Sequence, residues 1–259
     1  MKNKTLFLLD MDGTIYKGND IFPQTIPFLD RITASGGRYI FMTNNSSKST
    51  EDYIEKLAGM GIRAGQDDFM TSVNATIYYL KKHYSGKKIY VLGTQSLKKA
   101  VGCAGFEIAK GADDDADLLL MGFDTELTFQ KLDDASRLLT RGVDYVATHP
   151  DAVCPTEYGY VPDCGSVADM LYNATGRKPY VVGKPKPLIV ELALARAGAR
   201  REEALIVGDR LNTDIACGIA AGVETALVLS GEATRKDAEN SDFKPDYIFE
   251  SVGEIAEIL

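Results

Sequence analysis

Leu6-Phe7-Leu8-Leu9-Asp10-Met11-Asp12-Gly13-Thr14 is the stretch that decides how this chain is read. Four consecutive apolar residues suit a strand covered on both faces, because a strand with one wet face alternates polar and apolar side chains. The run then stops at two carboxylates. Asp10 and Asp12 lie two residues apart, so an extended backbone through Met11 points both to the same side. Gly13 permits a sharp turn and lets an anion come close to bare backbone amides. An ordinary Asp-rich turn would have the same composition, so the rest of the chain has to choose between a turn and a site.

Three further apolar runs, over 39–42, 180–182 and 204–207, end in the same way. They lead into Thr43-Asn44-Asn45, Gly183-Lys184-Pro185 and Gly208-Asp209-Arg210-Leu211-Asn212-Thr213-Asp214. Open parallel sheets bind ligands outside the carboxyl ends of their strands, so four such endings can meet in one crevice. The connections support a parallel sheet. Ile26, Phe28, Leu29 and Ile32, followed by Gly36-Gly37, predict a helix over 25–35, and strand, helix, strand makes a parallel pair. Ser49 can cap the next helix, with Glu51 and Asp52 in its first turn and Tyr53, Ile54, Leu57 and Met60 as its buried stripe.

From residue 75 a second alternating series begins, with helices over 75–83, 96–101 and 129–140 and strands over 89–92, 118–121 and 144–147. It holds neither the acid pair nor the lysine and reads as a second α/β domain inserted into the first. Asp113-Asp114-Asp115 reads as a solvated turn, and the stretch from His149-Pro150-Asp151 through 155–162, with Tyr158 and Tyr160, as a loop rich in turn formers. The first domain resumes with a strand leading through 180–184, a helix over 187–197, a strand over 204–207, a helix over 213–221, strands over 225–229 and 247–249, and a last amphipathic turn carrying Ile255 and Leu259.

Bulk properties exclude several classes of function. With 45% hydrophobic and 25% charged residues the chain is ordinary globular protein, and a net charge of -8 opposes binding to a polyanion. Lys81-Lys82 and Lys87-Lys88 do not make a basic surface. The amino terminus, Met1-Lys2-Asn3-Lys4-Thr5, is basic, but the apolar run after it ends at Asp10, too short for a secretory core. No stretch reaches membrane-spanning length, so a cytoplasmic protein is expected. Cys103, Cys154, Cys164 and Cys217 form no C-x-x-C pair and read as free thiols.

In order and spacing, Asp10-Met11-Asp12-Gly13-Thr14, Thr43-Asn44-Asn45, Gly183-Lys184-Pro185 and Gly208-Asp209 through Asp214 resemble the four motifs of the haloacid dehalogenase superfamily. More narrowly they resemble its NagD-like, p-nitrophenylphosphatase-like branch, over nearly the whole chain. The resemblance implies a doubly wound parallel-sheet (Rossmann-like) core, residues 1–75 and 179–259, with an α/β cap domain of class II inserted as residues 76–178. It implies a Mg²⁺-dependent phosphatase for small-molecule phosphate monoesters such as nucleotide, sugar or aryl phosphates. Asp10 would be the nucleophile and form an aspartyl-phosphate, and Asp12 the general acid and base. The Asp10 carboxylate, the Asp12 backbone carbonyl and the Asp209 carboxylate would hold Mg²⁺, an all-oxygen set suited to a hard ion.

On the same resemblance Asp214 would orient a metal water or Lys184. Thr43, the amide of Asn44 and the amides around Gly13 would hold phosphate oxygens, with Lys184 neutralising their charge. The implied partner is a small phosphorylated metabolite rather than nucleic acid or membrane, and the helix over 128–141 offers a face for a homodimer through the cap. A receiver-like phospho-accepting signalling module also uses strand-end carboxylates with a Thr and a Lys. Asp12 and the inserted domain argue against it, because a general base two residues from the nucleophile hastens loss of the acyl phosphate. A dehalogenase has no leaving oxygen to protonate and no dianion to neutralise.

Overall fold

A computed structural model describes residues 3–259, so Met1 and Lys2 of the basic amino terminus lie outside the described residues. The chain divides into two compact units. One comprises the residues up to Thr43 with Thr50–Met70 and Lys184–Leu259; the other comprises Asn44–Ser49 and Thr71–Gly183. The sequence placed the divisions at 75/76 and 178/179, a few residues inside these.

The first unit is built on a six-stranded sheet in the order Tyr247–Phe249, Glu224–Val228, Ala204–Gly208, Leu6–Leu9, Arg38–Thr43, Phe69–Thr71. Leu6–Leu9 is a central strand, parallel to both neighbours, with Leu8 opposite Ile206 on one side and Ile40 on the other. Its position explains its composition. Phe7 and Leu9 join Phe28, Ile32, Phe41, Val207 and Ile255 in one core cluster, which takes the buried sides of helices Thr25–Ala34 and Val252–Glu257. Leu6 and Leu8 point the other way and are equally buried, on a strand that the helix Leu188–Ala197 also contacts. With helices serving both faces, no residue of this strand can be polar until the chain leaves the sheet at Asp10.

The second unit has its own five-stranded parallel sheet, in the order Tyr180–Val181, Asp144–Ala147, Leu118–Met121, Lys88–Leu92, Glu107–Ile108. Its core gathers Leu92, Leu119, Met121, Leu138, Val167 and Leu171. The strands Leu118–Met121 and Asp144–Ala147 and the helix Phe129–Thr140 fall where their apolar periodicity placed them.

Four segments differ from the sequence reading. The strand over 180–182, expected to reopen the first domain, is Tyr180–Val181, which pairs with Asp144–Ala147 and belongs to the second unit. The stretch over 155–162 is an antiparallel hairpin, Val153–Thr156 against Gly159–Pro162. As an isolated two-stranded ribbon it has outer edges where Pro155 and Pro162 need give no ladder hydrogen bond. A helix, Cys164–Thr175, follows it unforeseen: Asp163 caps it by accepting from the Cys164 amide, Gly176 ends it, and Cys164, Val167 and Leu171 form its buried stripe. The helix expected over 213–221 opens as a wider π-type turn, Leu211–Ile215, before Ala216–Ala221. The Ile215 amide there reaches back five residues to the Arg210 carbonyl.

The acidic run makes ion pairs at the surface, Asp113 with Arg141 at 3.2 Å and Asp114 with Lys88 at 2.6 Å. All four cysteines are free thiols. Among the described residues no helix is long and apolar enough to cross a membrane. Because Leu8 is wholly buried between two parallel neighbours, Leu8→Ala is expected to lower unfolding stability by about 2–5 kcal/mol. An unchanged urea midpoint and slope would contradict this packing.

Candidate active site

The site begins where adjacent strands of the first sheet end. Leu6–Leu9 delivers Asp10, Arg38–Thr43 ends at Thr43, and Ala204–Gly208 delivers Asp209. Lys184 enters as the chain returns to the first unit, and its ammonium lies 2.6 Å from Asp10 Oδ1 and 2.6 Å from Asp214 Oδ1, with the Met42 carbonyl at 3.5 Å. The side chain is 2% exposed. Burial works against the ammonium, but the Asp10 and Asp214 carboxylates outweigh it and hold the Lys184 pKa well above its ordinary value.

Asp214 does more for this lysine than sit near it. Its Oδ1 takes the ammonium, while its Oδ2 accepts from the Arg210 amide at 3.3 Å and the Thr213 hydroxyl at 3.4 Å. The π-type turn therefore fixes the carboxylate from behind.

Asp209 is seated differently. Its Oδ2 accepts from the Glu232 amide at 2.8 Å, whereas its Oδ1 is buried and has no hydrogen-bond partner among the described residues. Two glycines make room for this carboxylate. A Cβ on Gly231 would stand 2.0 Å from Asp209 Oδ2, and one on Gly13 2.3 Å from the same atom. Burial, reinforced by Asp214, pushes the Asp209 carboxyl up to about 7. Burial also raises Asp10 well above the carboxylate range; Lys184 draws it down, while Asp214 and Asp209 add to the rise.

Asp10, Asp209 and Asp214 each offer an oxygen within 4.8 Å of the others. Three carboxylates against one ammonium leave two negative charges, the deficit a divalent cation supplies. The orphaned Asp209 oxygen and the Asp10 carboxylate make an oxygen-only donor set, which fits Mg²⁺. Asp214, with both oxygens engaged, serves the lysine.

Asp12 lies beside Tyr16, to which its backbone bridges. Burial raises its carboxyl pKa, and Lys56 and Arg210 oppose the rise. One expectation needs correcting. The Gly13 amide, expected to hold phosphate, donates to the Tyr16 carbonyl at 2.7 Å and is spent inside the turn. Gly13 is required instead for its φ of +86° and for the close approach of Asp209. Thr43 is buried at its strand end, and Asn44 falls in the second unit, where its side-chain amide donates to Asp151.

The sequence reading missed Ser230-Gly231-Glu232. This loop holds the acid end together, with the Ser230 hydroxyl donating to the Gly13 carbonyl at 2.8 Å and the Glu232 amide donating to Asp209. The available signal was a glycine just past the apolar run over 225–229, at one more carboxyl end of the same sheet.

A family model described as haloacid dehalogenase-like hydrolase matches residues 7–107, and a second HAD-hydrolase-like model matches 181–255. The acid sugar phosphatase of Staphylococcus aureus (strain MRSA252) is 35% identical over 259 residues, covering 100% of this chain and 99% of its own. The chain belongs to the haloacid dehalogenase-like hydrolases. Among solved structures of this family, 4-nitrophenylphosphatase from Thermotoga maritima superimposes with a TM-score of 0.93 at 40% identity, covering 98% of this chain and 97% of that one. Glycerol phosphate phosphatase from Mycobacterium tuberculosis, solved in complex with magnesium, gives 0.90 at 30% identity over 97% of this chain and 76% of that one.

A carboxyl raised from 3.8 to about 7 stabilises the metal-free fold fully below about 4, and that contribution is lost as pH rises through about 7. A divalent cation takes the place of the proton. The rise in melting temperature on adding saturating Mg²⁺ is therefore expected to be larger at pH 8 than at pH 5, and an equal shift at both would contradict this assignment of Asp209.

Proposed function

We propose that this haloacid dehalogenase-like hydrolase cleaves small phosphate monoesters with Asp10 as nucleophile, Asp12 as acid and base, and Mg²⁺ held by the Asp10 carboxylate, the Asp12 carbonyl and the Asp209 carboxylate. The observation that carries the reading is the Asp10 carboxylate held by a buried lysine beside an acid with an unpartnered oxygen. Bound Mg²⁺ supplies the positive charge that lets a phosphate dianion approach carboxylates. The protein's own residues do the rest.

Asp10 attacks phosphorus in line; the P–O ester bond breaks as an Asp10 Oδ–P bond forms. Asp12, whose carboxyl burial keeps protonated to higher pH, gives its proton to the departing oxygen. The resulting Asp12 carboxylate then takes a proton from water, whose oxygen bonds to phosphorus as the Asp10–phosphorus bond breaks. Lys184 balances charge on the nucleophile and the transferring group, and Asp214 keeps the ammonium pointed there. Thr43 and the Asn44 amide hold phosphate oxygens. The second unit acts as the cap that selects the leaving group, and relatives named for sugar, nitrophenyl and glycerol phosphates support small esters.

Asp10→Asn is expected to abolish release of nitrophenol from its phosphate in a protein whose circular dichroism still shows the folded state, and chelator is expected to stop the parent. Asp12→Asn should slow esters of poor leaving groups by about 10²–10⁴ and nitrophenyl phosphate less. Turnover by Asp10→Asn, or by a folded, metal-free parent, would remove the proposal.

A further inference from the structure

One short loop holds Asp209 twice. The Glu232 amide donates to its Oδ2 at 2.8 Å, and the next amide, that of Ala233, donates to its backbone carbonyl at 3.1 Å. The loop lies between the strand Glu224–Val228 and the helix Arg235–Asn240, and its near end is tied by the Ser230 hydroxyl to the Gly13 carbonyl. Glu232 is tied by its side chain as well, with Oε2 lying 2.9 Å from Arg210 Nε. Arg210 follows Asp209 in the chain, so these contacts close a ring. It runs from Asp209 through the Arg210 side chain to Glu232, and back through the Glu232 amide to the Asp209 carboxylate. Every residue in it belongs to the first unit.

The ring fixes which way the carboxylate faces. A carboxylate can turn about its Cβ–Cγ bond and exchange its oxygens unless one of them is pinned. Here Oδ2 is pinned by an amide and hemmed in by bare backbone, since a Cβ on Gly13 or Gly231 would stand 2.3 Å or 2.0 Å from it. Oδ1 is buried with no hydrogen-bond partner among the described residues. An amide pins an oxygen only while it keeps hydrogen-bond distance and angle, and a loop with glycine at its centre is not stiff by itself. The Arg210–Glu232 pair supplies the missing constraint.

Folding stability explains this pair less well. The Glu232 side chain is 45% exposed, and ion pairs open to water contribute little to folding. Charge balance does not explain it either. Burial raises the carboxyls of Asp209 and Asp12, and the Arg210 charge is near enough to draw both back, so it already stands beside the groups that would receive a metal. By charge alone Arg210 opposes a second cation, whereas by tethering Glu232 it favours one. The two effects have opposite signs.

We propose that Arg210, paired with Glu232, is a positioning residue that holds the Glu232 amide on Asp209 Oδ2 and so keeps Asp209 Oδ1 turned toward Mg²⁺. The inference rests on the reading of Asp209 as a metal ligand. Arg210 then serves both acids of its stretch. Its backbone amide donates to Asp214 Oδ2 at 3.3 Å and steadies the partner of Lys184, while its side chain steadies the ligand of the metal. A ligand already held in place does not have to be ordered when the ion arrives, which is why the partners of a ligating group set affinity.

The test titrates Mg²⁺ alone into the metal-free chain at pH 8 and takes its dissociation constant from the rise in melting temperature. No substrate or turnover enters the readout. Glu232→Ala and Glu232→Gln remove the same charge, but only glutamine keeps an oxygen that can accept from Arg210 Nε. Glu232→Ala is expected to raise the dissociation constant about tenfold, and Glu232→Gln less than about threefold. Arg210→Met, which charge alone would make the tighter binder, is expected to bind about tenfold more weakly than the parent. Arg210→Met with Glu232→Ala should be no worse than the poorer single variant. Without metal, the Glu232 variants should melt close to the parent.

Equal weakening by Glu232→Ala and Glu232→Gln, or tighter binding by Arg210→Met, overturns the positioning role in favour of charge. Should Arg210→Met fail to fold, the two Glu232 variants decide alone. Asp209→Asn separates the two readings. If it binds Mg²⁺ as the parent does, Asp209 is not a ligand and this inference falls with that reading. If it loses Mg²⁺ while Glu232→Ala binds as the parent does, only the positioning role falls.

Discussion

One buried ammonium sets the terms for the first unit. Lys184 is almost wholly out of water, and desolvation alone would strip its proton; two carboxylates at 2.6 Å keep it charged. Removing one partner of such a pair leaves an uncompensated buried charge and typically costs about 3–5 kcal/mol. Three distant segments are thereby obliged to meet: the turn after Leu6–Leu9, the return of the chain at Lys184, and the π-type turn after Ala204–Gly208. That wider turn has a reason in the same constraint. It lets Asp214 receive the Arg210 amide and the lysine at once, which holds the lysine against Asp10.

The lysine satisfies Asp10 and Asp214 and leaves Asp209 over. The loop after Glu224–Val228 satisfies one Asp209 oxygen through the Glu232 amide, and the bare backbones of Gly13 and Gly231 allow the carboxylate to sit so deep. The other oxygen has only a cation to turn to. Charge balance and hydrogen-bond accounting, which are independent arguments, thus both suit a divalent cation beside this carboxylate. The raised carboxyl of Asp209 follows from that design: a site built to close around a metal is over-supplied with negative charge without one.

Most of this was legible in the sequence because the strong constraints leave strong marks. A strand buried on both faces shows as an unbroken apolar run, and a carboxylate at its end is conspicuous for that reason; Asp10 and Asp209 announce themselves in this way. What the sequence concealed is held by backbone atoms. Glu232 serves through its amide, Gly231 through an absent Cβ and Ser230 through a carbonyl contact that any hydroxyl could make, so residue type says little about them. Gly13 was assigned the wrong duty for a related reason: that a glycine allows an anion near is visible in the sequence, but that the anion is Asp209 is not. The helix Cys164–Thr175 escaped although its capping aspartate and terminal glycine were in plain view, because the aromatic and proline-rich hairpin before it suggested continued loop.

The division of the chain has a consequence for how the two units can diverge. It crosses between them at Thr43–Asn44, Ser49–Thr50, Met70–Thr71 and Gly183–Lys184, and Asn44 and Gly183, which flank the first and last of these crossings, are anchored within the second unit. The anchors are few: Ser72 and Asp151 on Asn44, and the space beside Gly183. Substitutions elsewhere on the second unit, such as the exposed Tyr158 and Tyr160 of the hairpin or Phe129 at the start of its helix, touch none of these anchors. The second unit can therefore vary what it presents to solvent while Ser72, Asp151 and Gly183 keep Asn44 where it is.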